Sequence, residues 1–184
     1  MYVARILYPV KVLGPGERIG IWFCGCPRRC EGCSNPELWN FQEKYKTSPE
    51  TVLSLIEKIS AKNKVDGFTI TGGDPIFQAG DLLRLLDGIK KISDDIIIYT
   101  GYLKSEVPQE ILKNIAVLID APYIQSRNNN CILRGSDNQT IYILKEKYRA
   151  TYEKYLSSTE NQIQNFATND GYISVGIHRA DFKF

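Results

Sequence analysis

The feature of this sequence that most restricts its fold is the alternation of short apolar runs with longer segments of helical periodicity. Apolar runs of strand length occur at 19–24, 67–71, 95–100, 115–120, 139–144 and 172–177. Segments with apolar residues at helical spacing occur at 48–59, 81–92, 105–113 and 146–156. Strands that alternate with helices form βα units around a parallel sheet. The sequence therefore predicts an α/β fold, and the polar segment 157–169 is left unassigned.

Two helix starts can be assigned to particular residues. Ser48 is followed by Pro49, and this pair favours a helix start because serine caps helix N-termini and proline is tolerated in the first turn. Ser105 is predicted to cap the next-but-one helix in the same way.

The chain length limits how many βα units can form. A closed eight-unit barrel needs about 250 residues, whereas this chain has 184. We therefore predict a single domain over residues 1–184, built as an incomplete TIM-like barrel of about five or six βα units that is laterally open. An open doubly wound sheet is the alternative. Both folds place their chemistry on the loops that follow the carboxyl ends of the strands.

Composition and charge limit which binding partners and which cellular location we expect for this protein. The net charge is +2, which is too small to favour binding to nucleic acid or to an anionic membrane. The apolar runs are far shorter than the roughly 20 residues of a membrane-spanning helix. The first ten residues lack the pattern of a secretory signal peptide. We therefore expect a cytoplasmic protein without a nucleic-acid or membrane partner.

The cysteines are concentrated in one loop. Four of the five lie between positions 24 and 33, and in a reducing compartment such a group indicates metal binding or catalysis before disulfides. Cys26, Cys30 and Cys33 form a C-x3-C-x2-C pattern directly after a predicted strand. A cubane iron–sulfur cluster usually has four cysteine ligands, so three would leave one iron open, as a catalytic zinc site keeps one position open.

A structural zinc site that adds Cys24 as a fourth ligand is the alternative. Structural zinc sites usually draw their ligands from two separated pairs, and no second pair is present here. Cys24 also continues the strand pattern of 19–23, as a small buried apolar residue would. Cys131 stands alone in the sequence and is predicted to be an incidental thiol.

Several segments in order resemble those of a known family. The cysteine loop resembles that of the radical S-adenosylmethionine superfamily. The segments 14–18 (GPGER), 30–39 (CEGCSNPELW) and 133–139 (LRGSDNQ) are similar to those of the small glycyl-radical-enzyme activases, in particular the anaerobic ribonucleoside-triphosphate reductase activating proteins. Two positions depart from the superfamily pattern. Gly32 replaces an aromatic residue that often precedes the third cysteine, and Asp74 replaces the glutamate of the usual GGE motif.

The resemblance implies a specific enzyme activity. One [4Fe-4S] cluster on Cys26, Cys30 and Cys33 would cleave S-adenosylmethionine reductively to methionine and a 5′-deoxyadenosyl radical under anaerobic conditions. The target would be a glycine of a partner enzyme such as anaerobic ribonucleotide reductase, and the electron donor a flavodoxin or ferredoxin. A second cluster is not expected, because only Cys131 follows Cys33. A minimal radical enzyme that modifies a small molecule or a peptide is the alternative.

The resemblance and the strand ends together predict the residues that bind S-adenosylmethionine. The run from Thr71 to Pro75 has two glycines that allow a ligand to approach the backbone. The same residue types are also common in a strand-to-helix turn that binds no ligand. Arginine near the site could bind the carboxylate of the cosubstrate. The lone His178 is predicted to have a structural role. The predicted cosubstrate-binding residues are Thr71, Gly72, Gly73, Asp74, Pro75, Thr100, Tyr102, Asp120, Arg127 and Arg134.

Overall fold

The centre of the computed structural model, which describes residues 1–158, 160–168, 171–179 and 181, is a six-stranded sheet whose strands lie in chain order. The inner strands β2 to β5 are parallel. The outer strands β1 and β6 pair antiparallel with their neighbours. The strands are β1 (Val3–Val10), β2 (Arg18–Phe23), β3 (Gly67–Gly72), β4 (Ile96–Tyr99), β5 (Val117–Asp120) and β6 (Thr140–Ile143).

Three helices connect the parallel strands in the described part of the chain: α1 (Pro49–Ser60), α2 (Ala79–Ile89) and α3 (Gln109–Asn114). Their buried apolar residues share one core with one face of the sheet. Right-handed crossovers between parallel strands in sequential order place the three connecting helices on the same face. The order therefore lacks the reversal of a doubly wound sheet. The shared core includes Val52, Ile56, Leu82, Leu85 and Ile111 of the helices and Ile21, Ile70 and Ile98 of the strands.

The C-terminal segment covers the opposite face of the sheet. Helix α4 (Arg149–Ser158) places Tyr152 in a core with Ile97 and Val117. Strands β7 (Ile163–Thr168) and β8 (Gly171–Gly176) form a separate antiparallel hairpin. Val175 of this hairpin packs in a core with Val10, Leu13, Trp22 and Leu38.

A buried ion pair links α4 to the sheet. Arg18, at the start of β2, is fully buried and its guanidinium lies 2.9 Å from the Asp95 carboxylate. Arg18 also donates to the Thr69 hydroxyl at 2.8 Å, and the Tyr152 hydroxyl donates to Asp95. These contacts satisfy the charge that burial would otherwise leave unpaired. The arginine of the GPGER segment is therefore part of the core on the α4 side of the sheet.

Most predicted elements are confirmed, with three differences. The strand runs and the Ser48 cap of α1 occur as predicted, and Ser48 Oγ accepts a hydrogen bond from Thr51 N–H. Strand β1 was not predicted, and β7 lies in the unassigned segment 157–169. Ser105 does not cap α3, because a short 3₁₀ turn at 104–106 comes first and Pro108 takes the N-cap position.

The number of βα units is smaller than predicted. In the described ranges, α1 to α3 are the helical crossovers between parallel strands, so the expected five or six units reduce to three. The outer strands enlarge the sheet by antiparallel pairing, and β1 and β6 form its two edges. Among the described residues, no helix has both the length and the apolar composition needed to cross a membrane.

Candidate active site

The cysteine loop leaves the carboxyl end of β2 and returns to its own base. Gly25 N–H donates to the Leu38 carbonyl at 2.7 Å, and Cys26 N–H donates to the Trp39 carbonyl at 2.8 Å. The Leu38 side chain is fully buried in the core beneath the loop. The segment from Cys26 to Trp39 is thus closed at its base by backbone hydrogen bonds and fixed to the end of the parallel sheet.

The three predicted cluster ligands share one cavity. Cys26, Cys30 and Cys33 are partly exposed and all line it. Burial raises the pKa of each thiol, while nearby backbone N–H groups oppose this effect, among them Asn35 N–H, which donates to Cys33 Sγ at 3.4 Å. A bound cluster requires thiolates, and its irons supply the positive charge that favours them. The donor set therefore fits an iron–sulfur cluster.

The surroundings of Trp39 also bear on whether this site fits an iron–sulfur cluster. Its indole Nε1 is buried and has no hydrogen-bond partner among the described residues. The Trp39 side chain acts to lower the pKa of the Cys33 thiol, against the larger effect of burial, which raises it. A buried donor beside a cysteine is well suited to a sulfur that gains negative charge on binding a cluster.

Cys24 lies apart from this group. Its side chain is fully buried, and its thiol donates to the Asn40 carbonyl at 3.0 Å. Among the residues that the structure describes, no three histidine, cysteine, aspartate or glutamate side chains are grouped to bind a single metal ion. A cubane cluster makes a different demand, because each cysteine binds a different iron. The geometry of Cys24 is that of a buried thiol rather than of a fourth ligand.

The turn after β3 packs directly on the base of the cysteine loop. Gly73 N–H donates to the Phe23 carbonyl and Asp74 N–H to the Gly25 carbonyl, both at 2.8 Å. Gly72 has a φ of 105°, a conformation that glycine adopts at little cost. A Cβ atom at Gly73 would lie 2.5 Å from the Gly25 carbonyl oxygen. Glycine is required at this turn because the two backbones touch.

Asp74 is buried where this turn meets the next strand. Its carboxylate accepts hydrogen bonds from the Thr100 hydroxyl at 2.8 Å, from Gly101 N–H at 2.9 Å and from Ile76 N–H at 3.0 Å. Burial raises the pKa of Asp74, and these hydrogen bonds act in the opposite direction. The carboxylate therefore fixes the strand ends of β3 and β4 against each other and faces the cavity with negative charge.

Half of the predicted cosubstrate residues line the cavity, namely Thr71, Gly72, Gly73, Asp74 and Thr100. Pro75 is buried in the 3₁₀ turn that Asp74 caps. The Tyr102 ring lies beside the site, with the Arg28 guanidinium 4.5 Å from its centroid. The role of this turn in binding S-adenosylmethionine stays a prediction, and Pro75 lies buried within the turn.

The remaining three predicted residues, Asp120, Arg127 and Arg134, are not among the residues that line the cavity. Asp120 accepts hydrogen bonds from the backbone of Lys104 at 2.8 Å and of Thr140 at 3.3 Å. Arg127 is exposed and paired with Asp137 at 2.5 Å. Arg134 donates to the Gln139 carbonyl at 2.9 Å. In this conformation each of them stabilises a loop.

Other cavity residues were missed by sequence reasoning. Arg28 lies inside the C-x3-C spacing and lines the cavity, a position that the spacing itself could have indicated. Ser174 and His178 reach the cavity from the C-terminal hairpin region, and His178 Nε2 lies 2.9 Å from Ser174 Oγ. The pKa of His178 is lowered by burial. No motif marks these two residues, because the hairpin reaches the cavity only through tertiary packing.

Comparisons with known proteins agree with this site. Residues 12–142 match the model of the 4Fe-4S single cluster domain. The anaerobic ribonucleoside-triphosphate reductase-activating protein of Enterobacteria phage T4 is 34% identical over 142 residues, which cover 74% of this chain and 90% of that protein. The protein of the same name from Vibrio cholerae is 32% identical, covering 73% of this chain and 94% of its own.

A more distant relative broadens the comparison. The pyruvate formate-lyase-activating enzyme of Clostridium pasteurianum is 29% identical over 132 residues, which cover 68% of this chain and 56% of that enzyme. The matched segment of the family model contains the cysteine loop, the Gly72–Gly73 turn and Asp74. This chain therefore belongs to the radical S-adenosylmethionine activases, enzymes that use a [4Fe-4S] cluster and S-adenosylmethionine.

Proposed function

We propose that this chain holds one [4Fe-4S] cluster on Cys26, Cys30 and Cys33 and installs a glycyl radical on an anaerobic ribonucleoside-triphosphate reductase. The observation that carries the proposal is the single cavity lined both by these cysteines and by the turn at Gly72, Gly73 and Asp74. The names of the phage T4 and Vibrio cholerae relatives supply the class of partner enzyme.

The chain's own residues bind and orient the reacting groups. A cluster held by Cys26, Cys30 and Cys33 would supply the electron for reductive cleavage of S-adenosylmethionine to methionine and a 5′-deoxyadenosyl radical. The buried Asp74 carboxylate and the backbone of the turn at Gly72 suit the α-ammonium of the cosubstrate. Arg28, held over Tyr102 at the cavity, is suited to the cosubstrate carboxylate.

We also propose that residues 1–184 form one domain with the shape of an incomplete, laterally open barrel. Sequential strand order with α1 to α3 on one face supports this, since a barrel keeps its helices outside the sheet. An open side would admit a loop of the partner protein that carries the target glycine. A flavodoxin or a ferredoxin is the proposed electron donor.

The test is anaerobic reconstitution followed by electron paramagnetic resonance with a purified anaerobic ribonucleoside-triphosphate reductase. We expect about four irons and four sulfides per chain, and a glycyl radical on the reductase that depends on S-adenosylmethionine and reductant. Cys26→Ala, Cys30→Ala and Cys33→Ala should each abolish cosubstrate cleavage. Cys24→Ala is the matched control and should retain it.

Other results would contradict parts of the proposal. One zinc and no sulfide per chain would exclude the cluster. Formation of 5′-deoxyadenosine with a small molecule or a peptide, and no radical on any glycyl enzyme, would favour the alternative of a minimal radical enzyme. Loss of the cluster in Cys24→Ala would show that the ligand assignment is wrong.

A further inference from the structure

The end of the C-terminal hairpin forms part of the wall of the cavity. The five residues 174–178, which are the last three of β8 and the two that follow it, all line the cavity together with the three cysteines and the turn at Gly72. The family model matches residues 12–142, so these five residues lie outside the matched segment. The chain therefore brings to the cavity a segment that membership of the family does not account for.

Side-chain contacts hold this segment in place on both sides. In β7, the Gln164 amide donates to the Pro9 carbonyl at 2.7 Å. In β8, Val175 is buried in a core with residues of the sheet. After β8, the His178 carbonyl accepts a hydrogen bond from the Asn128 amide at 2.9 Å. A wall that is fixed before a ligand arrives loses little freedom on binding, which favours affinity.

The wall combines two polar side chains with apolar ones. His178 Nε2 lies 2.9 Å from Ser174 Oγ. A serine hydroxyl has one donor and two acceptor positions, and this contact uses only one of the three. Trp22, Val175 and Ile177 line the same cavity. A mostly apolar wall with a few placed polar groups is typical of sites that bind small molecules.

The two halves of S-adenosylmethionine differ in charge. The methionine half carries the ammonium, carboxylate and sulfonium groups, and the charged residues Asp74 and Arg28 of the cavity suit it. The adenosine half is uncharged and consists of a flat ring and a ribose with two hydroxyls. A hydroxyl and an imidazole beside apolar side chains match these groups, because both can form hydrogen bonds with ribose hydroxyls or ring nitrogens.

We propose that Ser174 and His178 bind the adenosine half of S-adenosylmethionine through hydrogen bonds, and that the end of the hairpin is the wall against which this half packs. This role rests on the proposed function, because it requires S-adenosylmethionine in the same cavity. It adds contacts from outside the segment matched by the family model.

The test is anaerobic equilibrium dialysis of the reconstituted full-length chain without reductant, so that the cosubstrate is not cleaved. The labelled probes are S-adenosylmethionine, 5′-deoxyadenosine and methionine. Loss of one hydrogen bond in Ser174→Ala or His178→Ala should raise the Kd about 3- to 10-fold for the first two probes and leave the Kd for methionine unchanged. Tyr172→Ala is the matched control. Tyr172 lies on the same strand and is largely exposed, so its loss should change no Kd.

The split between the probes separates binding from a general loss of structure. Wild-type affinity for 5′-deoxyadenosine in either variant would overturn the role of that residue, as would an equal loss of affinity for methionine. If the variants do not hold a cluster, wild-type protein labelled with ¹⁵N in histidine replaces them, since His178 is the only histidine. Its ¹⁵N resonances should shift with 5′-deoxyadenosine and not with methionine, and unchanged resonances would overturn the role of His178. A wild-type chain that holds no cluster or does not bind S-adenosylmethionine would instead refute the proposed function.

Discussion

Asp74 joins two strand ends through its carboxylate, which is only 1% exposed. The groups that donate to it belong to Thr100, Gly101 and Ile76. The carboxylate therefore contributes in two ways, since it holds the end of β4 and it supplies negative charge to the cavity. Asp74 replaces the glutamate common in the superfamily pattern, and the shorter side chain suits direct contact with the neighbouring backbone.

Asp74→Asn removes the charge and one of the two acceptor atoms. Its amide oxygen can still accept the hydrogen bonds from Thr100 and Ile76, whereas its NH2 group cannot accept from Gly101 N–H and has no charge to offer an ammonium group. A charge-assisted hydrogen bond contributes about 1.5–3 kcal/mol, so we expect the Kd for S-adenosylmethionine to rise by roughly 10- to 100-fold with unchanged iron content. Anaerobic equilibrium dialysis measures this. Asp87→Asn on the exposed side of α2 is the control and should leave Kd unchanged; an equal Kd for both variants would refute the role of Asp74.

Single residues differ in how well the sequence predicts them. The cysteine ligands and the Gly72–Gly73 turn can be proposed from sequence because their spacing follows from local chemistry, and the structure brings them to one cavity. Arg127 and Arg134 are predicted to bind the cosubstrate, and in the structure they contact Asp137 and the Gln139 carbonyl. The direction of a long side chain depends on its tertiary neighbours, and sequence spacing contains no information about them.

Among the secondary-structure elements, α4 depends on charge contacts with the sheet. Asp94, just before β4, contacts Lys145 at 3.1 Å and Lys147 at 2.7 Å, and it accepts a hydrogen bond from the Tyr148 hydroxyl at 2.6 Å. These residues lie in the turn that leads into α4. Partial burial would raise the pKa of Asp94, but hydrogen bonds from Lys147, Tyr148 and Lys145 lower it well below its usual range.

The Asp94 contacts predict a pH-dependent contribution to stability. Because the folded pKa lies below the unfolded value of about 3.9, the stabilisation is present above that pH and is lost as the pH falls towards the folded pKa. The carboxylate is partly exposed, so solvent screening limits the effect to about 1 kcal/mol. We expect Asp94→Asn to lower the free energy of unfolding by this amount at neutral pH.

Urea unfolding of the cluster-free chain at several pH values measures this effect. The difference between wild type and Asp94→Asn should shrink towards zero in strong acid. Asp87→Asn, whose partner Lys90 is the residue directly after the same helix, serves as the control with little change at any pH. A difference that is constant with pH would show that packing, and not ionisation, accounts for the loss.

Elements were predicted well where their periodicity is clear and poorly elsewhere. The helices α1 and α2 have regular apolar spacing and a defined start, and both were found. The first strand was missed because Val3–Val10 is a partly exposed edge strand that alternates weakly. Strand β7 was missed because Ile163–Thr168 is largely polar and exposed. Such strands form because the next strand in the chain is available to pair with them, β2 for β1 and β8 for β7, while their own side-chain pattern is weak.

At the scale of the whole molecule, the C-terminal hairpin differs from the central sheet. Strands β7 and β8 pair with each other and not with the six-stranded sheet. Tyr172 is 82% exposed and Ile163 is 40% exposed, whereas Val175 is buried. The hairpin is therefore attached through the face that carries Val175, and residues 174–178 at its end line the cavity.

Hydrogen–deuterium exchange should reveal this difference. We expect the amides of β7 and β8 to exchange at least about tenfold faster than those of β3 and β4, because regions with few buried contacts open at lower free energy. Addition of S-adenosylmethionine to the reconstituted protein should slow exchange at 174–178 more than at 163–168, since the former residues line the cavity. Equal protection of the hairpin and the central strands would contradict this view.

The overall architecture was predicted only in outline. Alternation of strands and helices correctly indicated an α/β fold with its site at the carboxyl ends of parallel strands. The antiparallel outer strands and the covering of one sheet face by α4 and the hairpin were not predicted. The covering by α4 depends on contacts such as that between Tyr152 and Asp95, which lie 57 positions apart in the sequence.

The contact between the turn after β3 and the cysteine loop restricts which mutations this sequence can accept. A side chain at Gly73 would bring Cβ to 2.5 Å from the Gly25 carbonyl oxygen, and no choice of rotamer relieves a clash at Cβ. Relief would require movement of the backbone that carries Cys26. The cysteine loop and the turn after β3 therefore depend on each other. In a library of random substitutions, functional clones should keep both glycines of the turn. A cysteine loop grafted from another enzyme should function only when the turn of that enzyme is grafted with it.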